Sequence, residues 1–238
     1  MHSGINRYFK VGMILSGVLV FGCASYRPLT RPVPKLSVLS PELADLSEQK
    51  IEKYLAAQVK PEFPVVVAVA KVQNPYPEYA YEEHDAGQYA VETLRGDEAD
   101  GWRNLTGQRG KFYKGIVRRV LFINPSLLTG NPTLKKLRDA AAMLHAPLLL
   151  VYIQQDNASD GYKNAAYTVG YYSACQAALV DTRTGLILAT AESELNREEK
   201  VFPLSANSAK ERIQRQTRAQ TVAGLQKNFG RALRELEK

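Results

Sequence analysis

Cysteine is almost absent from this chain: Cys23 and Cys175 are the only two in 238 residues. That count excludes a disulfide-stapled fold and a multi-cysteine zinc site, so stability has to come from a buried core. Histidine is scarce as well. Beyond the first residues only His84 and His145 occur, which leaves little imidazole for metal ligation or general acid–base work. Long hydrophobic runs are missing too. The stretch from Val11 to Gly22 is twelve residues, and as a helix it covers about 18 Å of a hydrocarbon core of about 30 Å. There is no Gly-x-Ser-x-Gly elbow and no P-loop. Gly107-Gln108-Arg109-Gly110-Lys111 has the wrong spacing, and no Ser or Thr follows the lysine. No internal repeat is visible.

What is present begins at the amino terminus. Arg7 and Lys10, with His2 and no acidic residue near them, precede the short apolar stretch. Together they have the layout of a signal segment. Gly22-Cys23-Ala24 imitates a small-x-small cleavage site only weakly. Val20-Phe21-Gly22-Cys23 resembles the lipobox of bacterial lipoproteins, with an aliphatic residue at −3, a small residue at −1 and then the obligatory cysteine. Phe21 departs from that pattern, which usually has a smaller residue at −2. The resemblance implies that the Cys23 thiol is diacylglycerylated, that the signal is cut just before it, and that the new amino group is acylated. Ala24, where an aspartate would mark retention at the inner membrane, implies sorting to the outer membrane. A plain secretory signal and a buried core cysteine on an uncleaved helix are the alternatives.

Several acyl chains anchor stably where one binds only reversibly. Cleavage before Cys23 leaves 216 residues and lowers the formal charge from +7 to +5, because Arg7 and Lys10 leave. Outside the cytoplasm such a mildly basic surface faces anionic lipids and wall polymers, so no nucleic-acid partner is expected. Cys175, among small and apolar neighbours, reads as a buried inert thiol. The chain divides into a cleaved signal (1–22), a lipidated cysteine with a proline-rich tether (23–40), and one α/β domain (41–238).

Within that domain, Ser40 and Pro41 open an expected helix to about Val59, with Leu43, Leu46, Ile51, Tyr54 and Leu55 at helical spacing. "PVVVAVAKV" (64–72) predicts a strand buried on both faces. A short helix is expected around Ala86–Arg95 and a strand over Ile116–Ile123. Asn131-Pro132-Thr133 opens a helix carrying Leu134, Leu137, Ala141 and Leu144, and His145 caps its carbonyls. "LLLVYI" (148–153) is a third buried strand, followed by a polar loop over Gln155–Lys163. "AYTVGYYSACQAALVD" and "GLILATAESEL" flank Thr182-Arg183-Thr184-Gly185 as a hairpin. Asn207–Glu237 is a long charged helix with a stripe of Val222, Leu225, Phe229, Leu233 and Leu236. The fold class is therefore α/β, a single mixed β-sheet of about five strands with packing helices and a long C-terminal helix.

Val65–Val72, the helix-into-strand run "LRDAAAMLHAPLLLVYI" (137–153) and "ALVDTRTGLIL" (178–188) before a last helix resemble a group of envelope lipoprotein domains. That group includes the curli-secretion lipoprotein, the outer-membrane activators of penicillin-binding proteins and the amino-terminal domain of the Tol translocation protein. The step Leu144-His145-Ala146-Pro147 departs from the Gly-Ala-Asp-like step of those domains. The resemblance implies the fold more than the function.

Candidate sites are few. Glu82-Glu83-His84-Asp85 is the sharpest polar cluster, but adjacent residues without a second His or Cys read as a solvated acidic loop, and no metal or other cofactor is expected. Tyrosine is more informative. Tyr76, Tyr79, Tyr81 and Tyr89 lie within fourteen residues, with Trp102 beyond them. Aromatic groups of this kind contribute large area with few torsions, which favours a partner-binding surface; packing into the core is the competing reading. The expectation is an outer-membrane-anchored, periplasm-facing lipoprotein that is not an enzyme. It acts through an envelope protein partner or through self-association. An oligomeric secretion-channel component and a cell-wall-acting enzyme are the alternatives.

Overall fold

The computed structural model describes residues 61–73, 90–106, 115–128 and 130–238. Its elements are β1 (Val65–Gln73), β2 (Ala90–Glu92), α1 (Gly96–Arg103), β3 (Val117–Phe122), α2 (Leu134–Met143), β4 (Leu148–Lys163), β5 (Ala166–Asp181), β6 (Ile187–Lys200) and α3 (Ala206–Glu237). They form one mixed six-stranded sheet in the order β2-β1-β4-β5-β6, with β3 also paired to β1. This is the α/β class that the sequence predicts, with β2 as the additional strand. The expected 41–59 helix lies outside the described residues.

β1 is the hub. Its valines suit a pleated surface covered on both sides. β4 runs parallel to it along one edge, from Val67↔Leu148 to Val72↔Ile153. The other edge is shared: β3 pairs parallel with Val65–Val69, and β2 pairs antiparallel with Lys71–Gln73. This corrects the helix expected over Ala86–Arg95. Residues 86–89 lie outside the described set, Ala90–Glu92 is a strand, and the helix starts only at Gly96. β3 stops at Phe122, opposite Val69, so residues 70–73 of β1 would lack a partner on that edge; β2 supplies one for the last three, and pairing there outweighs local helix preference.

The polar stretch Gln155–Lys163 is not a loop either. β4 continues through it for 16 residues, paired with β5 from Leu148↔Asp181 to Lys163↔Ala166. The turn that closes this hairpin is Asn164-Ala165, both at positive φ (51° and 64°). Two left-handed residues make the primed turn that matches strand twist, and alanine is strained there while glycine is not. Ala165→Gly is therefore expected to stabilise the domain by about 1 kcal/mol, read as a higher urea midpoint at unchanged slope.

The second hairpin follows the sequence closely. Asp181 Oδ1 accepts hydrogen bonds from the Thr184 N–H (2.6 Å) and the Thr184 hydroxyl (2.7 Å), and Gly185 takes φ +80°. From α2, the Arg138 guanidinium donates to the carbonyls of Thr182 and Arg183. α2 begins at its Thr133 cap. It ends with His145 at φ 55°, where His145 N–H donates to the Ala142 carbonyl and Ala146 N–H to the Ala141 carbonyl. This is a Schellman cap, with histidine in the place glycine usually takes. The carbonyls are capped by backbone, and the imidazole is not what caps them.

Helices cover both faces of the sheet. α2 packs Leu137, Ala140 and Ala141 on Ala68, Ala70, Leu149, Val151 and Val180. On the opposite face, α1 and the carboxyl half of α3 pack Trp102, Leu225, Phe229 and Leu233 on Val67, Val69, Leu150, Tyr152 and Leu179. The amino half of α3 runs over the far part of β5, where Ile213 and Ala206 meet Val169 and Tyr171. Its buried ridge, Ala209, Ile213, Thr217, Thr221, Leu225, Phe229 and Leu233, advances by four residues throughout, the spacing of one helix face.

Candidate functional site

The sequence does not announce the most unusual feature of the structure, a set of polar groups between the sheet and its α1/α3 cover. Lys71 sits inside the valine run of β1 and points to that side. Only 3% of it is exposed. Its ammonium is 3.0 Å from Glu92 on β2 and 3.1 Å from Glu98 on α1. The second Glu98 oxygen accepts the Tyr152 hydroxyl at 2.6 Å. Four elements, β1, β2, β4 and α1, thus meet on one charged node.

A second group lies further along the same face. Arg218 of α3 contacts Asp156 of β4 at 2.7 Å. Gln154, almost fully buried, donates to Ser173 Oγ (3.2 Å) and Asp156 Oδ1 (3.4 Å). Alternation explains the placement: Tyr152, Gln154 and Asp156 are two apart on β4 and so share a face. Cys175, paired with Gln154 in the sheet, lies buried on this face.

These groups position helices and hold protons tightly. Burial pushes the Tyr152 phenol far above its ordinary range, and the Glu98 carboxylate adds to the shift. Burial also raises Tyr171 and Cys175, each helped by the charge of Asp156. The native state keeps all three protons where the unfolded chain releases them, so stability is full below the unfolded values and falls as pH rises past them. Cys175 enters first, from pH 9.0, and the tyrosines from pH 10.0. Each fully engaged group should steepen the loss by about 1.4 kcal/mol per pH unit. Urea titrations between neutral pH and the alkaline limit check this, and Cys175→Ala should delay the onset.

Of the predicted site residues, Cys23, Tyr76, Tyr79, Tyr81 and Tyr89 lie outside the described residues, as do Glu82, Glu83, His84 and Asp85. Trp102 is described, and it is core. None of its surface is exposed, and its ring packs against Tyr152 (centroids 5.2 Å apart) and Phe229 (6.0 Å). A large ring on an eight-residue helix is the side chain best able to fill the gap between α1, β4 and α3. Trp102 therefore has no surface with which to meet a partner. Lys71 was legible only as one lysine in an apolar strand. The signal that marks it is the pair of carboxylates, Glu92 and Glu98, that follows more than twenty residues later.

No protein-family model matches the chain, and neither does any curated protein. Solved structures show a distant likeness. One is the C-terminal domain of LpoB from Salmonella enterica, at 16% identity and TM-score 0.31, with 62% of this chain and 93% of that chain covered. Another is the lipoprotein GNA1162 from Neisseria meningitidis, at 8% identity and TM-score 0.32, with 63% and 95% covered. A third is the PelC dodecamer from Paraburkholderia phytofirmans, at 15% identity and TM-score 0.30, with 70% and 94% covered. At this distance the likeness assigns no function.

Proposed function

We propose that this chain is a lipid-anchored lipoprotein on the periplasmic face of the bacterial outer membrane, whose α/β domain is a non-enzymatic binding or assembly module. The observation that carries the reading is Val20-Phe21-Gly22-Cys23 directly after a short charged-then-apolar leader. The anchor holds the domain at one surface, and the proline-rich tether after Cys23 gives it reach. A membrane-crossing hairpin built from residues 166–194 is disfavoured, because β5 is buried along nearly its whole length and α3 packs across β5 and β6. A lipid-facing strand would instead alternate apolar-out.

The test is metabolic labelling with a palmitate analogue in cells making the full chain or Cys23→Ala. Label that depends on Cys23 and fractionates with outer membranes supports the reading. An unlabelled, soluble periplasmic chain overturns it.

A further inference from the structure

The far end of the sheet carries an apolar point. After β6 the chain runs Val201-Phe202-Pro203-Leu204-Ser205 into α3. Phe202 is 83% exposed and Leu204 fully so, the most exposed large apolar side chains among the described residues. Both project from a fixed turn. Val201 packs into the core cluster under α3, and its N–H donates to the Tyr167 carbonyl. The Ser205 N–H and hydroxyl both donate to the Phe202 carbonyl at 2.9 Å. Pro203 stiffens the step between them. A turn with this many internal bonds cannot collapse to hide its side chains, so the chain leaves two large apolar groups in water on a convex point.

Charge around the turn is internally balanced. Lys163 pairs with Glu198 (2.7 Å), Lys210 with Asp160 (3.4 Å) and Arg212 with Glu199 (2.7 Å). Lys200 and Glu211, also beside the turn, add one charge of each sign, so the point is suited to a neutral apolar phase and not to a polyanion.

Length makes a bilayer reachable. The chain enters the sheet at Val65, beside the start of β4, whereas the turn lies beyond Thr168↔Lys200, thirteen residues further along β5 from Asp181. At about 3.3 Å per residue that separation is roughly 45 Å. The seventeen residues 24–40 alone span at most about 50 Å when extended, which matches it. A domain tethered at Cys23 can therefore stand on this end.

We infer that the Phe202-Pro203-Leu204 turn inserts into the lipid bilayer as a second, non-electrostatic membrane contact that orients the domain. The inference rests on the lipid-anchored reading only in bringing the domain to a membrane. A convex point needs no matching pocket in a lipid phase, and tethering lets two side chains suffice because the second contact is intramolecular.

The test reconstitutes the full chain carrying Phe202→Trp into phosphatidylcholine vesicles with brominated acyl chains. Trp102, buried, supplies a constant background. The expected result is bromine quenching of the new indole that needs no phosphatidylglycerol, survives added salt, and with Leu204→Glu reports a roughly tenfold smaller ratio of inserted to free turn. Emission that stays open to aqueous iodide in the presence of vesicles overturns the inference. So does shielding that appears without lipid and grows with protein concentration, which makes the turn a contact between copies. Quenching that requires phosphatidylglycerol and vanishes in salt overturns it as well. A palmitate-labelled chain whose indole is unquenched sinks this inference alone, and an unlabelled chain whose indole is quenched sinks the anchor alone.

Discussion

Trp102→Ala is expected to lower the unfolding free energy by about 3–5 kcal/mol, seen in urea titration as an earlier midpoint. For a domain of this size that corresponds to a melting temperature lower by roughly 10 °C. The ring is wholly buried and closes the junction of α1, β4 and α3 against Tyr152 and Phe229. α1 has only eight residues, too few to be stable alone, so its position depends on what it buries. Loss of the ring leaves a cavity that neither the sheet nor the 32-residue α3 can close. Trp102→Phe refills part of that volume and should recover more than half of the loss. A residue acting mainly at a partner surface would behave differently: alanine there would leave the urea midpoint nearly unchanged.

Lys71→Ala is the second large effect, expected to cost about 3 kcal/mol, the low end for removing one partner of a buried pair. The ammonium is almost fully enclosed, whereas the Glu98 side chain keeps about a quarter of its surface in water (26%) and Glu92 nearly half (44%). Without the lysine, the largely enclosed Glu98 carboxylate is left with only the Tyr152 hydroxyl to answer it. The three members are therefore unequal. Glu92→Ala removes the more exposed partner, worth at most about 1 kcal/mol, and should leave α1 in place. Lys71→Met keeps the volume and loses the charge, so a double variant with Glu98→Gln should recover much of the loss, because an apolar replacement of a buried pair is often neutral. Chemical denaturation of the wild type, Lys71→Met, Glu98→Gln and the double variant as a thermodynamic cycle gives the coupling. If Lys71→Ala and Glu92→Ala cost the same, the node is not organised around Glu98. Hydrogen exchange at the α1 amides separates local release of the helix from global unfolding.

Local chemistry made much of the architecture legible. The β-branched run of β1 is buried on both faces, Thr133 caps α2, and Asp181, Thr184 and Gly185 close the β5–β6 hairpin as their residue types demand. The stripe from Val222 to Leu233 likewise predicts which side of α3 is buried. In each case the deciding interaction lies within a few residues of the chain, so spacing alone carries it.

The rest was decided by partners distant in sequence. Gln155–Lys163 has the composition of a loop, but it extends because β5 offers it a complete ladder of backbone partners. Ala90–Glu92 is a strand because β3 ends early and leaves β1 an open edge. Lys71 is tolerated in a buried strand only because Glu92 and Glu98 converge on it, and Trp102 belongs to the core only because α3 closes over α1. Phe202 and Leu204 are unremarkable in the sequence; the bonded turn is what holds them in water. The sequence by itself determined the Val20-Phe21-Gly22-Cys23 motif and the order of the locally encoded elements. Tertiary structure alone decided how far strands extend, which charges are buried and which apolar groups are left outside, because those depend on pairing and enclosure by residues that spacing cannot bring together.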